Sequence, residues 1–150
     1  MTVAGNNDAA DIPAIAEWET LARAVTDGDE ARFANRTGNV HAGSFTHPGR
    51  RDISVDRFSR MEQAEAVTNG HTIAAERGVN RKFHGWALIT KTAVDDLEYI
   101  AKASPRDGHD WHADIWLPEQ AATDRKAHEH HAAALARNAD WEKWPPDDES

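Results

Sequence analysis

Apolar residues first become periodic just after Asp11, where Ile15, Trp18, Ala22 and Val25 recur at spacings of three and four, with Ile12 and Leu21 beside them. This spacing predicts a helix with one apolar face. Asp11 suits its cap, Pro13 its first turn and Gly28 its end. Further along, Phe33, Val40 and Phe45 are isolated apolar positions interrupted by Gly38 and Gly43, which predicts a weak hairpin or two short strands. A turn over 46–52 follows. Ile53 and Val55 then alternate with Ser54 and Asp56, the pattern of a short strand. Ser59 and Glu62 have capping-box spacing for a helix whose thin apolar side, Met61, Ala64 and Val67, extends to Gly70.

The strongest strand is Gly85-Trp86-Ala87-Leu88-Ile89, almost wholly apolar and therefore expected inside the sheet. Thr92 and Asp95 predict a helix of one or two turns, Leu97 to Ile100 a further strand, and Pro105 to Gly108 a turn. From Trp111 to Leu117 the alternation is clean: Trp111, Ala113, Ile115 and Leu117 on one face, His112, Asp114 and Trp116 on the other. Pro118 ends that strand. An alanine-rich helix is expected over 119–138, with so weak an apolar stripe that it should dock loosely. Together these elements predict an α+β fold, a small mixed or antiparallel sheet packed against N-terminal and C-terminal helices. Residues 1–10 are expected to be disordered, 11–139 to form one domain, and 140–150 to be a tail pinned by Trp141 or Trp144.

Composition narrows the function classes. With no cysteine among 150 residues, disulfides, iron–sulfur clusters and thiolate zinc sites are excluded. No apolar run approaches a membrane span, and the first residues carry no export signal, so a cytoplasmic protein with no membrane partner is expected. Leu, Ile, Val and Phe total only 23 residues, a share below the ~20% at which disorder becomes a concern, but six tryptophans restore enough apolar area for a lean core. The formal net charge of −9 argues against extended DNA binding, since a negative field repels phosphate. It suits either a GC-rich genome or adaptation to high salt.

The candidate chemistry lies in the nine histidines and a few arginines. His84 precedes the apolar strand, and His112 shares a strand face with Asp114, which could orient an imidazole. If the two strands are neighbours, both histidines face one cleft and can serve as acid and base near neutral pH. The alternative is that both are ordinary sheet-edge histidines. Arg57, at a strand end, offers a fork for phosphate or carboxylate with Ser54 beside it; equally, Asp56 and Arg57 could pair and tie the strand to the next helix. Arg32 and Arg36 are candidates for additional substrate-binding charge. His128 and His131 share a helical face and could hold zinc or nickel, whereas His109 and His112 form a ligand pair only if His109 lies in the turn. No metal site and no cofactor are assigned.

The blocks Arg32-Phe33, His41-Ala42-Gly43-Ser44-Phe45, Ile53-Ser54-Val55-Asp56-Arg57, His84-Gly85-Trp86-Ala87 and His112-Ala113-Asp114-Ile115 resemble, in this order, a family of small, uncharacterised microbial domains. The resemblance spans 32–117 and is most specific in the Ser-Val-Asp-Arg and His-Ala-Asp-Ile blocks. It implies no established activity. Three readings stand: a metal-independent enzyme acting on RNA or a phosphate-containing nucleotide, such as a nuclease; a protein-binding module of an operon-encoded pair of the toxin–antitoxin kind; and a histidine/carboxylate metalloprotein.

Overall fold

A computed structural model describes residues 12–146. The expected disorder of 1–10 and the last residues of the expected tail lie outside that range. The chain runs β1 (Thr20–Thr26), α1 (Asp29–Thr37), a 3₁₀ turn (Ala42–Phe45), β2 (Asp52–Asp56), a second 3₁₀ turn (Phe58–Arg60), α2 (Gln63–Arg77) and β3 (Phe83–Thr90). It continues through α3 (Lys91–Asp96), β4 (Ile100–Ala103), β5 (His112–Trp116), α4 (Gln120–Thr123), α5 (Arg125–Arg137) and β6 (Asp140–Lys143). The strands form one sheet in the order β4-β5-β2-β1-β3-β6, antiparallel at every pairing. The α+β class is as expected.

Where the elements differ from expectation, burial explains the difference. The segment expected to be a helix ending at Gly28 contains β1. This strand is interior, with Leu21 and Val25 packed on one face and Ala22 and Ala24 on the other. An interior strand buried on both sides loses its polar–apolar alternation, and its apolar run then mimics a helical stripe. The hairpin expected over 31–45 is instead α1 and a 3₁₀ turn, because α1 buries only the small residues Ala31 and Ala34. Ser59 does not cap α2; its hydroxyl accepts the Thr20 amide at 2.8 Å. Thr90, not Thr92, caps α3, and β4 starts at Ile100 rather than Leu97.

One face of the sheet (Leu21, Ile53, Val55, Ile89, Ala113, Ile115) packs against Phe45, Val94 and the Ala132 and Leu135 side of α5. Contrary to the loose docking expected, Ala132 and Leu135 are fully enclosed. So is His128, whose Nε2 accepts the His47 amide at 2.8 Å while Nδ1 donates to the Ala121 carbonyl at 3.1 Å. The opposite face is divided. Its β1–β3 half is covered by α2 through Ala66 and Ala74, with Trp86 ringed by Phe58, Phe83 and Trp144 at centroid distances of 5.0, 5.0 and 6.0 Å. Helix α2 passes through Gly70, the residue expected to end it, because a Cβ there would lie 2.6 Å from the Phe83 ring; glycine admits the helix to the sheet.

Trp141 and Trp144 both pack on the core, Trp141 within the edge strand β6 and Trp144 just beyond it, so the segment is not a simple tail. Gly85 permits that pairing: its φ is +139°, and a Cβ would sit 2.2 Å from the Glu142 carbonyl of β6. Gly85→Val is therefore expected to strain the β3–β6 ladder and destabilise the protein by about 1–3 kcal/mol in chemical denaturation. An unchanged midpoint would show that β6 tolerates displacement.

Candidate functional site

The sheet opens in its middle. β1 and β2 pair at Ala22↔Asp56 and then separate. Two residues further along each strand, Ala24 and Ser54 would have stood opposite each other in the ladder. Instead Arg23 Nη1 donates to the Ser54 carbonyl at 2.8 Å, and Arg77 Nη1 approaches the Ala24 carbonyl at 3.4 Å. Arg23 also donates to the carbonyls of Ser44 (2.9 Å) and Thr46 (3.3 Å). Two side chains thus replace backbone partners that the separation removed. A cavity of about 1160 Å³ lies over this seam, walled by α2, the 43–48 segment and the turn carrying Arg106 and His109.

Cross-strand register determines which side chains reach it. Asp56 is opposite Ala22 and also opposite His112, and Ser54 is opposite Asp114, so these four polar residues share the face that α2 leaves uncovered. Asp56 is buried and uses both carboxylate oxygens: Oδ1 meets His109 Nε2 at 2.6 Å, and Oδ2 accepts from Asn69 Nδ2 of α2 at 2.6 Å. The bond to Asp56 raises the His109 pKa above its ordinary value, against a smaller opposing effect of burial. The Arg106–His109 bridge places His109 in the turn before β5, and its ring lies 5.8 Å from that of His112 at 77°.

His112 is the complement. Its Nδ1 lies 2.8 Å from Ser104 Oγ and 3.1 Å from the Ser104 carbonyl. A carbonyl only accepts, so Nδ1 carries the hydrogen and Nε2 keeps a bare lone pair. That Nε2 is buried and has no hydrogen-bond partner. Burial foremost, and then the Arg106 charge, lower the His112 pKa. The cavity is thus lined by two neighbouring imidazoles biased in opposite directions, one toward the cation and one toward the neutral base.

The residues singled out by sequence are distributed unevenly. Ser54, Asp56 and His112 line the cavity; His84, Arg57, Arg32 and Arg36 do not. Arg57 is fully enclosed, bound to both oxygens of the equally enclosed Glu19 at 2.9 and 2.6 Å and to the carbonyls of Pro13 and Ala14. Neither the exposed anion fork nor the Asp56 pairing forms, because Glu19 occupies the guanidinium. Burial would raise the Glu19 carboxyl, but the hydrogen bonds from Arg57 and the Ala16 amide, together with the charges of Arg57 and Arg60, outweigh it and hold the pKa below its usual value. His84 contacts Asp27 at 2.5 Å, and that bond lowers the Asp27 pKa. Arg32 pairs with Asp29 on the surface, and Arg36 lies over the Phe33 ring at 5.8 Å. Asp114 does not orient His112; Ser104 does, and Asp114 Oδ1 is itself without a partner. His128 cannot be a metal ligand in this arrangement, since both its nitrogens are committed, and His131 Nδ1 is 2.7 Å from the Tyr99 hydroxyl. Among the described residues, no group of three His, Asp or Glu side chains is disposed to hold a metal ion.

By sequence His109 stands out only as a conditional metal ligand, and Arg23, Arg77, Asn69, Ser104 and Arg106 do not stand out at all. The His109-x-x-His112 spacing across a turn and strand was the available signal; nothing local marks the two arginines, whose roles depend on the separation of β1 from β2. The chain matches no protein-family model, no curated protein and no solved structure, so the resemblance through the Ser-Val-Asp-Arg and His-Ala-Asp-Ile blocks rests on those residues alone.

Proposed function

We propose that the cavity is the active site of an enzyme that cleaves or transfers phosphate esters of RNA or a nucleotide, with His112 as general base and His109 as general acid. The observation that carries this reading is the buried, unpartnered Nε2 of His112 beside an imidazole whose pKa the bond to Asp56 raises. His112 Nε2 takes the proton of an attacking hydroxyl, from a ribose or from water, as the new P–O bond forms. His109 gives a proton to the departing oxygen as the old P–O bond breaks. The two histidines end with their protonation states exchanged, and solvent restores them. Arg106, exposed in the adjoining turn, supplies positive charge near the reacting phosphoryl group. As written, the reaction moves protons only between side chains, substrate and water, and requires no cofactor.

The test is incubation with single-stranded RNA and a nucleotide panel in the presence of a chelator. New phosphate ends or released nucleoside are expected. No turnover across the panel would overturn the proposal. The pH profile provides a second check. The active form needs His112 neutral and His109 charged; the first is favoured because the His112 pKa is lowered, the second because that of His109 is raised. Between the two values both conditions hold, so kcat/KM is expected to form a plateau spanning the ordinary histidine value of about 6.5. It should fall on the acid side as His112 gains a proton and on the alkaline side as His109 loses one. A profile with a single limb would contradict this assignment.

The protein-binding reading is supported by one separate feature. Trp18 is 62% exposed, with the Arg60 guanidinium 4.7 Å from its ring centroid. This aromatic–cation pair lies apart from the cavity lining and suits a partner protein of an operon-encoded pair.

A further inference from the structure

We propose that the β1–β2 seam holds a phosphate-binding subsite formed by Arg23 and Arg77, so that the substrate spans the cavity with a second phosphate lodged between the separated strands. Their place motivates it: of the arginines without a carboxylate ion pair, Arg23 and Arg77, with Arg106, are those that line the cavity. Arg32, Arg50, Arg57, Arg60 and Arg125 each pair with a carboxylate. The hydrogen bonds of Arg23 go only to the three backbone carbonyls, and those of Arg77 to the Ala24 carbonyl and the Thr26 hydroxyl at 3.4 and 3.3 Å. A guanidinium has five N–H donors, so each arginine retains hydrogens for a ligand.

The cavity also carries carboxylates, but none of them forms an ion pair with Arg23 or Arg77. Arg23 is half-buried, and burial first, then the charge of Arg77, push its pKa down to about 10. Asp56 attracts it from the same cavity but is already engaged by His109 and Asn69. Glu30 and Glu76, which attract Arg77, line the cavity without bonding to it. Arginine forks match phosphate oxygens in pairs, and two of them lining one cavity can share a phosphate. The cavity, at about 1160 Å³, exceeds the ~300–1,000 Å³ usual for a small-molecule pocket, as a substrate longer than a mononucleotide requires.

Only the statement that this phosphate belongs to the reacting substrate rests on the acid–base proposal; the subsite itself does not. The first probe is inorganic phosphate, titrated into the whole protein at constant ionic strength against chloride. A saturable rise in melting temperature is expected, reduced about tenfold or more in affinity by Arg77→Gln and partly restored by Arg77→Lys, which keeps the charge without the fork. Wild-type protein that shows no phosphate-specific rise overturns the subsite, whether or not the variants fold. His109→Ala should still bind phosphate. The second probe compares a dinucleotide carrying a terminal phosphate with the same dinucleotide lacking it. Wild type should favour the former in kcat/KM by about tenfold or more, and Arg77→Gln should erase the preference. Arginine-dependent phosphate binding with no turnover sustains the subsite and removes the acid–base proposal. Turnover that ignores the terminal phosphate sustains the acid–base proposal and overturns the assignment of this phosphate to the reacting substrate.

Discussion

Arg57→Ala is expected to cost about 3–5 kcal/mol of stability in chemical denaturation, the largest single-residue loss predicted for this chain. The reason is what remains after the arginine is removed. Glu19 is fully enclosed and draws its charge compensation from Arg57, with Arg60 a more distant second partner at 3.3 Å. The carbonyls of Pro13 and Ala14 would also lose their donor, and the segment before β1 would lose its attachment to the end of β2. Acid should erode the wild-type advantage: the folded Glu19 pKa lies below its unfolded value of about 4.5, so its contribution is present above that value and is lost as pH falls through the folded one. Arg57→Met combined with Glu19→Leu should recover part of the loss, because a buried pair removed together leaves no orphaned charge. If Arg57→Ala unfolds at the wild-type midpoint, the pair has no structural role and the residue must be reconsidered as functional.

His112→Ala and His109→Ala are each expected to lower kcat/KM by about 10²–10⁴-fold while the protein remains folded. The two should be distinguishable. His112→Ala removes the base and should lose the acid limb of the pH profile, and added imidazole should restore part of the rate by entering the vacated space. His109→Ala removes the acid and should affect substrates with poor leaving groups most. Asp56→Asn offers a subtler variant: without the carboxylate charge the His109 pKa falls back toward its ordinary value, so the alkaline limb should move to lower pH. His84→Ala, outside the cavity lining and bonded to Asp27, serves as the comparison. Should His84→Ala abolish turnover while His112→Ala does not, the site has been placed on the wrong side of the sheet.

Legibility in the sequence followed burial. β5 was readable residue by residue because one face is apolar and the other carries His112 and Asp114, and β3 because Trp86, Ala87 and Ile89 mark an interior strand. β1 was not, since a strand covered on both faces has no polar register to reveal its period. Helix α1 hides for the opposite reason, burying only alanines. The histidine pair was half legible: strand periodicity placed His112 on the polar face, but the partner of His109 is Asp56, 53 residues away in sequence, and no local pattern encodes that distance. Arg57 illustrates the converse error. A strand-end arginine next to Asp56 looks available, but Glu19, disguised within an apparent helix, occupies it completely.

The interrupted seam also affects how the molecule can deform. The half-sheet β4-β5-β2 and the half-sheet β1-β3-β6 are joined at a single register position, Ala22↔Asp56, whereas β1 and β3 are paired from Thr20 to Thr26. Beyond that position β1 and β2 are linked by the bond from Arg23 Nη1 to the Ser54 carbonyl, while the core shared against Phe45 and α5 and the Asn69–Asp56 bond hold the halves together. Ala22 and Asp56 are therefore the point at which the two ladders are joined, and Arg23 spans the gap beside it. A change in the angle between the half-sheets would be taken up at this seam, where a side chain rather than a ladder bridges β1 and β2, and the core shared by both halves limits its extent.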